Sequence, residues 1–164
     1  MSITVREFTQ QDIPTMIAIW NEIVEEGISF PQMEILDEKS GYDFFAGQSF
    51  TGVAWEQETG KMVGLYILHP NNVGRCGHIS NASYAVKSDE RGKRIGEILV
   101  LHSIAQAREL GFRILQFNAV VKTNITAIRL YKKLGFVQLG VIPAGFLMKD
   151  GTYQDIIPHY YRLG

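Results

Sequence analysis

The stretch that most constrains the fold is residues 79–96, where an apolar run is followed by a basic loop and then by a second apolar pattern. The first run predicts a buried strand, and the periodicity of the second predicts a helix. The loop between them contains three basic residues and two glycines: Arg91, Gly92, Lys93, Arg94 and Gly96. The first turn of a helix has unpaired N–H groups and about half a positive elementary charge, so anions bind there. The stretch therefore predicts a site for a phosphate-rich ligand, and a solvated basic turn is the simpler alternative.

The rest of the chain alternates between strand-like and helix-like patterns. Period-two alternation at 3–8 predicts a first strand, and apolar residues at helical spacing from Ile13 to Val24 predict a helix that ends at Gly27. The other predicted elements are a helix over 35–45, a hairpin over 50–56 and 62–69, a strand over 76–86, a helix over 92–110, a strand over 112–120, a helix over 124–134 and closing strands over 137–141 and 153–161. This order predicts an α/β fold with a mixed sheet.

Length and composition limit the class of protein. The chain has 164 residues, which favours a single domain over 1–164, and its formal net charge is −1. That charge provides no general basic field, so neither nucleic acid nor a membrane surface is expected as a partner. The single cysteine, Cys76, excludes an internal disulfide and fits a reducing cytoplasm. The sequence has no signal-peptide pattern and no apolar run of about 20 residues, so we expect a cytoplasmic protein without a membrane span.

A second informative segment covers residues 118–136, where a predicted strand leads into a predicted helix. Asn124 lies where the N-cap residue of that helix belongs, and Gly135 follows its last turn. The spacing of Leu130 and Leu134 marks the face of the helix that packs on the core. The segment therefore predicts a capped helix that follows its strand closely.

Both segments resemble parts of the GNAT superfamily, the acetyl-CoA-dependent N-acetyltransferases. The basic loop is similar to the superfamily's acyl-CoA pyrophosphate loop, in which Arg or Gln, two residues, Gly and one residue precede Gly or Ala. Arg91 and Gly96 match this pattern, whereas Arg94 replaces the middle glycine, and we expect a helical or nearly helical backbone at Arg94. The second segment matches the superfamily helix at Asn124, Ala127, Leu130, Tyr131, Leu134, Gly135 and Phe136. The order of elements also resembles the GNAT fold, which implies a mixed, mostly antiparallel central sheet flanked by about four helices.

The resemblance implies acetyl-CoA as co-substrate and assigns residues to its binding. Tyr84, Val86 and Asn118 would bind the pantetheine arm through the main chain, after their two strands separate. The other cofactor-binding residues that it implies are Arg91, Gly92, Lys93, Arg94, Ile95, Gly96, Asn124, Ala127 and Tyr131. Asn124 has two open interpretations, because its side chain can cap the helix or bind the pantetheine arm.

Tyr131 is the candidate general acid. Acetyl transfer from a thioester to an amine expels a thiolate, and the reference pKa values of about 10 for a phenol and about 8.5 for a thiol are only mildly mismatched. The resemblance implies the same role, since the family commonly uses this tyrosine as its acid. The alternative is an amphipathic core tyrosine whose hydroxyl lies at the rim.

The attacking amine must be neutral, but the strand predicted over 76–86 contains no carboxylate to act as its base. We therefore expect deprotonation through a water, or capture of an amine that is already neutral. Asn81 is the second candidate catalytic residue, because its amide can hold that water or a substrate carboxylate. His78 is another candidate base because of its imidazole, although a lone histidine on an apolar strand is more often structural.

Two resemblances within the superfamily concern the acceptor. Residues 78–86 and 116–120 look like acetyltransferases that act on small amino acids, such as the proline-analogue enzymes. This likeness implies that Asn81 and the backbone N–H groups of Asn118 and Ala119 hold a substrate carboxylate.

A weaker likeness to the phosphinothricin-type acetyltransferases lies at residues 20–24 with Phe30, so Phe30 is a candidate substrate contact. Direct transfer is expected, because Cys76 is the only thiol and lies far along its strand from the loop. A homodimer is expected by analogy, on aromatic residues of the closing strands: Tyr153, Tyr160 and Tyr161.

Other classes of function leave fewer marks on the sequence. A metal site is not expected, because the four histidines and Cys76 form no C-x-x-C or H-E-x-x-H spacing. The loop also lacks the spacing of a nucleotide P-loop. A protein N-terminal or lysine acetyltransferase and a non-catalytic acyl-CoA sensor stay open as alternatives. Thiol release in the presence of candidate amines would separate an enzyme from a sensor.

Overall fold

The structure, a computed structural model, describes residues 2–164, and within this range the chain forms four α-helices and eight β-strands. The helices are α1 (Ile13–Glu26), α2 (Glu38–Ala46), α3 (Ile95–Glu109) and α4 (Ile125–Leu134). The strands are β1 (Ile3–Glu7), β2 (Phe50–Glu56), β3 (Lys61–Pro70), β4 (Ile79–Val86), β5 (Ile114–Val121), β6 (Val137–Gln138), β7 (Ile142–Leu147) and β8 (Tyr153–Arg162). Short 3-10 turns cover Gln10–Asp12, Gly74–Cys76 and Ser88–Glu90.

All the strands belong to one sheet, in the order β1-β2-β3-β4-β5-β8-β6, with β7 also paired to β8. Neighbouring strands are antiparallel except β4 and β5, which are parallel. Parallel neighbours need a crossover connection, and α3 provides it between β4 and β5. The predicted mixed, mostly antiparallel sheet flanked by four helices is confirmed.

Helices cover both faces of the sheet. Successive residues of a strand face opposite sides, so the strands present apolar side chains to helices on each face. On β4, Ala82 lies in a core cluster with Leu99 of α3, whereas Ala85 lies in a cluster with Trp20 of α1. Trp20 is almost fully buried, and burial of each such large apolar side chain contributes roughly 1.5–3 kcal/mol. The sheet therefore has α1 and α2 on one face and α3 and α4 on the other.

Four predicted elements begin later than the sequence suggests, since the helix predicted over 92–110 begins at Ile95 and the strand predicted over 112–120 begins at Ile114. The other two are α2 and β4. α2 begins after Asp37, because Oδ1 of Asp37 accepts a hydrogen bond from the N–H of Ser40 at 2.8 Å and caps the helix there. The strand predicted to start at residue 76 also starts later, because Gly74–Cys76 forms a 3-10 turn. Cys76 is therefore on a turn and not on a strand.

The C-terminal part differs most from the prediction. The strand predicted over 137–141 is wrong, since pairing stops after Val137–Gln138 and the edge resumes as Ile142–Leu147. Pro158 of β8 has no N–H to donate to this edge, while its C=O accepts a hydrogen bond from the N–H of Leu139 at 2.9 Å. The edge strand is therefore interrupted opposite Pro158.

None of the helices within residues 2–164 is both long and apolar enough to cross a bilayer. The same residues contain no group of three or more His, Cys, Asp or Glu side chains placed to hold a metal ion.

Candidate active site

The two parallel strands β4 and β5 separate along their length. Each strand has eight residues, but their pairing covers only Ile79 with Ile114, Ser80 with Leu115 and Asn81 with Gln116. Beyond these positions β4 stays paired with β3 up to Val86, so only its β5 side is open. Among residues 2–164, none of residues 82–86 has a register partner on β5. The separation that the family resemblance implies is confirmed.

The strand on the other side of this gap contains a bulge. The register between β5 and β8 runs from Phe117 with His159 to Val120 with Ile157. Asn118 and Ala119 lie between these pairs and have no Cα partner on β4 or β8 within the described range 2–164. The two residues predicted to hold a carboxylate through their N–H groups are thus the two that the ladders leave unpaired.

Asn81 lies where the gap begins. Its Nδ2 donates a hydrogen bond to the C=O of Gln116 at 2.8 Å, from β4 across to β5. Beside it, Oγ of Ser80 donates to the C=O of Ile114 at 2.8 Å. These two bonds fix the point of separation, and they leave Oδ1 and one N–H of the Asn81 amide available to a water or a substrate.

The loop between β4 and α3 has a left-handed backbone at Gly92, with φ 81°, and at Arg94, with φ 62°. The expected helical backbone at Arg94 is therefore wrong, and a non-glycine residue in this conformation costs about 1–2 kcal/mol. No side chain caps α3, so the first N–H groups of the helix, those of Ile95 and Gly96, have no capping side chain within residues 2–164. A Cβ added at Gly96 would meet nothing closer than 4.0 Å, which leaves room for a ligand beside the helix.

Two of the three loop cations are already paired with carboxylates. Arg91 donates to both carboxylate oxygens of Glu26, with Nη1 2.9 Å from Oε2. Nζ of Lys93 lies 2.6 Å from Oε2 of Glu90. Arg94 forms no ion pair within the described part of the chain, residues 2–164. The charge open to an anion therefore comes from Arg94 and the N-terminus of α3, and less from Arg91 and Lys93 than the sequence predicts.

Asn124 forms the N-cap of α4. Its Oδ1 accepts a hydrogen bond from the N–H of Ala127 at 3.2 Å. The side chain of Asn124 therefore caps the helix, which is the first of its two interpretations. The N–H of Ala127 is already bonded, so any contact of Ala127 with a cofactor would involve its methyl group or its C=O.

Tyr131 projects from α4 onto the aromatic face of β5. Its ring centroid lies 4.6 Å from that of Phe117 and 5.4 Å from that of Phe136. Burial raises the pKa of the Tyr131 hydroxyl, so the phenol keeps its proton at neutral pH. Tyr131 thus combines a packed ring with a protonated hydroxyl, as a proton donor requires.

The sequence model of the acetyltransferase (GNAT) family matches residues 15–136. This range runs from α1 to Phe136, two residues after the end of α4. It contains the gap, the basic loop and Tyr131. The chain belongs to the acetyltransferase (GNAT) family. The superfamily and the acyltransferase class predicted from the sequence are confirmed.

Relatives of this GNAT chain differ in how much of their length it matches. The N-acetyltransferase aca1 of Schizosaccharomyces pombe is 37% identical over 102 residues, which cover 62% of this chain and 49% of that protein. The chain thus spans about half the length of this relative. The L-methionine sulfoximine/L-methionine sulfone acetyltransferase of Pseudomonas aeruginosa is 26% identical over 148 residues, or 87% of this chain and 85% of that protein.

Solved GNAT structures share the fold along almost the whole chain. A GCN5-related N-acetyltransferase from Kribbella flavida superposes with a TM-score of 0.89 at 29% identity, covering 98% of this chain and 97% of that one. A GNAT superfamily phosphinothricin acetyltransferase from Sinorhizobium meliloti, solved in complex with acetyl-CoA, gives a TM-score of 0.88 at 22% identity, with 100% and 90% coverage. The second likeness is one of fold alone.

Within this GNAT fold, two predicted site residues have side chains that are occupied elsewhere. Phe30, predicted to contact substrate, is 7% exposed, and its ring centroid lies 4.5 Å from that of Trp20. The hydroxyl of Tyr84 lies 2.7 Å from Oγ of Ser103 on α3. Phe30 is therefore part of the core on the α1 face, and Tyr84 has only its main chain free for a ligand in the gap.

His78 and Cys76 lie just before β4, whereas the basic loop follows its other end. Both side chains are exposed. Eight residues of strand span roughly 26 Å, so the structure does not bring either residue to the loop.

Two side chains that contact the predicted site residues do not follow from the sequence patterns. Glu26 pairs with Arg91, and its only local signal is that acidic residues in the last turn of a helix oppose its dipole. His159 is fully buried beside Tyr131, with ring centroids 5.6 Å apart. Its only signal is a histidine within an apolar closing strand, and the pairing of β8 with β5 that places it there is not visible locally.

Proposed function

We propose that this GNAT domain is an N-acetyltransferase that binds acetyl-CoA in the gap between β4 and β5. The acetyl group is transferred directly to an amine of a small metabolite, an amino acid or an amino-acid analogue. The observation that carries the proposal is a sheet opened along one strand edge and ending at an uncapped helix N-terminus. An open strand edge can form main-chain hydrogen bonds with an extended amide chain, as it would with an added strand. The N-terminus of a helix binds a diphosphate. The acetyl-CoA complex of the S. meliloti structure supports the same assignment.

The residues divide by the part of acetyl-CoA that they would contact. The main chains of Tyr84, Val86 and Asn118 border the gap and would bind the pantetheine arm. The diphosphate would bind the loop and the first turn of α3, at Arg91, Gly92, Lys93, Arg94, Ile95 and Gly96. Asn124 and Ala127 would act by fixing the start of α4, which carries Tyr131.

Tyr131 is the proposed general acid. The amine forms a bond to the acetyl carbon, the carbon–sulfur bond breaks, and the Tyr131 proton passes to the departing sulfur. The proton released by the amine nitrogen then restores the phenol, directly or through water. Burial raises the pKa of the Tyr131 hydroxyl, and the same apolar setting disfavours a free thiolate, so the proton passes as charge develops on the departing sulfur.

No carboxylate on β4 faces the acceptor, so the proposal has no dedicated carboxylate base. Asn81 has an acceptor oxygen and one N–H left after its bond to Gln116, which suits it to hold a water. The amine is therefore captured neutral or loses its proton to that water. The resulting rate should rise with pH until the amine is fully deprotonated.

An amino acid or analogue is the proposed acceptor. The bulge at Asn118 and Ala119 offers N–H groups, and Asn81 offers an amide, which together suit a carboxylate. The Pseudomonas relative, whose name gives L-methionine sulfoximine and L-methionine sulfone as substrates, supports this class. Phosphinothricin and the terminal or lysine amines of proteins are the alternatives that an acceptor screen would test.

The decisive experiment combines calorimetry with an acceptor screen. Purified protein is titrated with acetyl-CoA and with CoA, and thiol release is then followed against amino acids, phosphinothricin and lysine-containing peptides. We expect heat of binding with both coenzymes and thiol release with an amino acid or analogue. Binding without release for any amine would indicate an acyl-CoA sensor. Absence of binding would refute the proposal.

We also propose a cytoplasmic homodimer that forms through the C-terminal edge of the sheet. Of the three tyrosines on β8, Tyr153 is 62% exposed, whereas Tyr160 and Tyr161 are partly buried. Exposed apolar side chains continue along the same edge at Leu139, Val141 and Ile142. Light scattering on the wild type and on Leu139→Arg would test this: we expect a dimer for the first and a monomer for the second.

A further inference from the structure

One buried titratable side chain is not used by the function proposed above. His159 on β8 is 0% exposed, and its Nδ1 lies 2.7 Å from the C=O oxygen of Ile157. A carbonyl oxygen can only accept, so Nδ1 carries the hydrogen and Nε2 is an acceptor. Within residues 2–164, Nε2 has no hydrogen-bond partner. A buried acceptor without a partner has given up its hydrogen bond to water without replacing it, and this requires an explanation.

The position of His159 follows from the bulge in β5. Ile157 and His159 flank the bulge, opposite Val120 and Phe117. The imidazole donates to the C=O of Ile157 beside the bulge, so its ring lies along the side of β8 that faces the unpaired residues of β5. His159 is thus placed by the same irregularity that opens the gap.

The ring of His159 also contacts the ring of Tyr131. Their centroids are 5.6 Å apart with the planes at 68°, so the edge of one ring meets the face of the other. Phe117, the strand partner of His159, contacts Tyr131 as well, at 4.6 Å between centroids. Histidine and phenylalanine therefore support the tyrosine from two adjacent strands.

Both groups are uncharged at neutral pH. Burial lowers the pKa of His159, although the hydrogen bond to Ile157 opposes this effect. Burial also raises the pKa of Tyr131. A neutral imidazole with a free acceptor and a neutral phenol with a donor are complementary partners.

We propose that His159 is a positioning residue for Tyr131, in which the buried Nε2 accepts a hydrogen bond from one bridging water that in turn accepts a hydrogen bond from the Tyr131 hydroxyl, and so orients the phenol toward the gap. This inference rests on the proposed function, because it gives His159 a role only through the acid Tyr131. When negative charge develops on the departing sulfur, that sulfur becomes the stronger acceptor. Rotation about the Cζ–O bond then turns the hydroxyl proton from the bridging water to the sulfur.

A matched pair of substitutions tests the role of Nε2. His159→Asn keeps a donor for the C=O of Ile157 and removes the distal acceptor, whereas His159→Gln keeps a distal acceptor. We expect His159→Asn to lower kcat about tenfold, with the Kd for acetyl-CoA changed less than about twofold. His159→Gln should recover most of the lost rate. Thermal unfolding of both variants is the check that each is folded.

A double-mutant cycle separates positioning from a general structural effect. In a Tyr131→Phe background the hydroxyl is gone, so we expect His159→Asn to change kcat by less than about twofold. The same tenfold loss in both backgrounds would assign a merely structural role to His159 and overturn the inference. Full activity of His159→Asn in the wild-type background would overturn it too.

A measurement that does not depend on activity uses the ¹⁵N resonances of the imidazole. We expect a protonated Nδ1 and an unprotonated Nε2 in the wild type, and a shift of the Nε2 resonance in Tyr131→Phe. An unmoved Nε2 resonance would contradict the inference even if both His159 variants failed to fold. Failure of the proposed function has a different signature, since the wild type would then lack acetyl-CoA binding or thiol release.

Discussion

Two strand–helix units, β4–α3 and β5–α4, run in parallel and end at the same edge of the sheet, yet their helices begin in different ways. α4 is closed by its own sequence, because Asn124 caps the N–H of Ala127. α3 is open, because Arg94 is left-handed at φ 62° and no side chain caps the first turn.

The open helix is the less stable arrangement. A missing cap costs about 1 kcal/mol, and a left-handed arginine about 1–2 kcal/mol more. Backbone strain of this kind persists where function requires it, and here it lies where the diphosphate is proposed to bind. The closed helix instead holds Tyr131 in a packed aromatic setting. The proposed function therefore places ligand binding at the first turn of α3 and proton transfer at Tyr131 on α4.

The largest effect should come from Tyr131→Phe. Removing the proton donor should lower kcat about 100-fold, because general acid catalysis contributes about 10²–10⁴-fold. The Kd for acetyl-CoA should change little, since the ring and its packing are kept. Steady-state kinetics and calorimetry measure the two quantities separately.

Tyr161→Phe is the matched control for that change. Tyr161 packs on Phe136 in the same cluster, with ring centroids 5.1 Å apart, but has no proposed part in catalysis. Its variant should keep wild-type turnover. If Tyr131→Phe also kept full turnover, α4 would have no role in proton transfer. The difference between α3 and α4 would then concern helix stability alone.

The same contrast shows what the sequence could predict. The element order, the mixed sheet and the α4 segment follow from local patterns, since Asn124 and Gly135 mark both ends of that helix by their residue types. The edge formed by β6 and β7 could not be predicted in this way. Its interruption depends on Pro158 of a later strand, and local periodicity does not report which strands become neighbours.

For the site, residues within one motif were found and partners from distant elements were not. The loop and Tyr131 lie in contiguous segments, so their spacing was informative. The pairing of Arg91 with Glu26 joins α1 to a loop 65 residues later, and His159 reaches Tyr131 only through the β5–β8 ladder. The left-handed backbone of Arg94 was missed because a glycine is the usual sign of that conformation.

Asn124→Ala should remove the N-cap of α4, so that its first turn is uncapped like that of α3. Loss of the bond to the N–H of Ala127 should lower the free energy of unfolding by about 1 kcal/mol. Denaturant titration measures this change, and Asn124→Ser, which keeps a capping oxygen, should lose much less. If the side chain only caps, the Kd for acetyl-CoA should change less than about threefold. A tenfold weaker Kd would instead show that Asn124 also binds the pantetheine arm.

Gly96→Ala should stabilise α3 without blocking the site. A glycine within a helix is less favourable than alanine by about 0.8–1.0 kcal/mol, and the added Cβ would meet nothing closer than 4.0 Å. The free energy of unfolding should therefore rise by up to that amount, while acetyl-CoA binding is kept. Gly96→Val is the control, since its branched side chain extends into the space proposed for the diphosphate. Equal affinities for the two variants would mean that the ligand does not pass this turn.

Glu26→Gln should produce the smallest effect. It tests only the loop before α3, where Glu26 pairs with Arg91. The change releases Arg91 from its ion pair, so acetyl-CoA should bind about threefold more tightly at low salt, as expected from the 0.2–1 kcal/mol that exposed pairs contribute. The gain should vanish at about 0.5 M salt, because screening weakens exposed charges. Glu25→Gln removes the same charge from the neighbouring position and should give a smaller gain. If Glu26→Gln weakened binding instead, the ion pair would orient Arg91 for the ligand. Glu26 of α1 would then preorganise the loop that precedes α3.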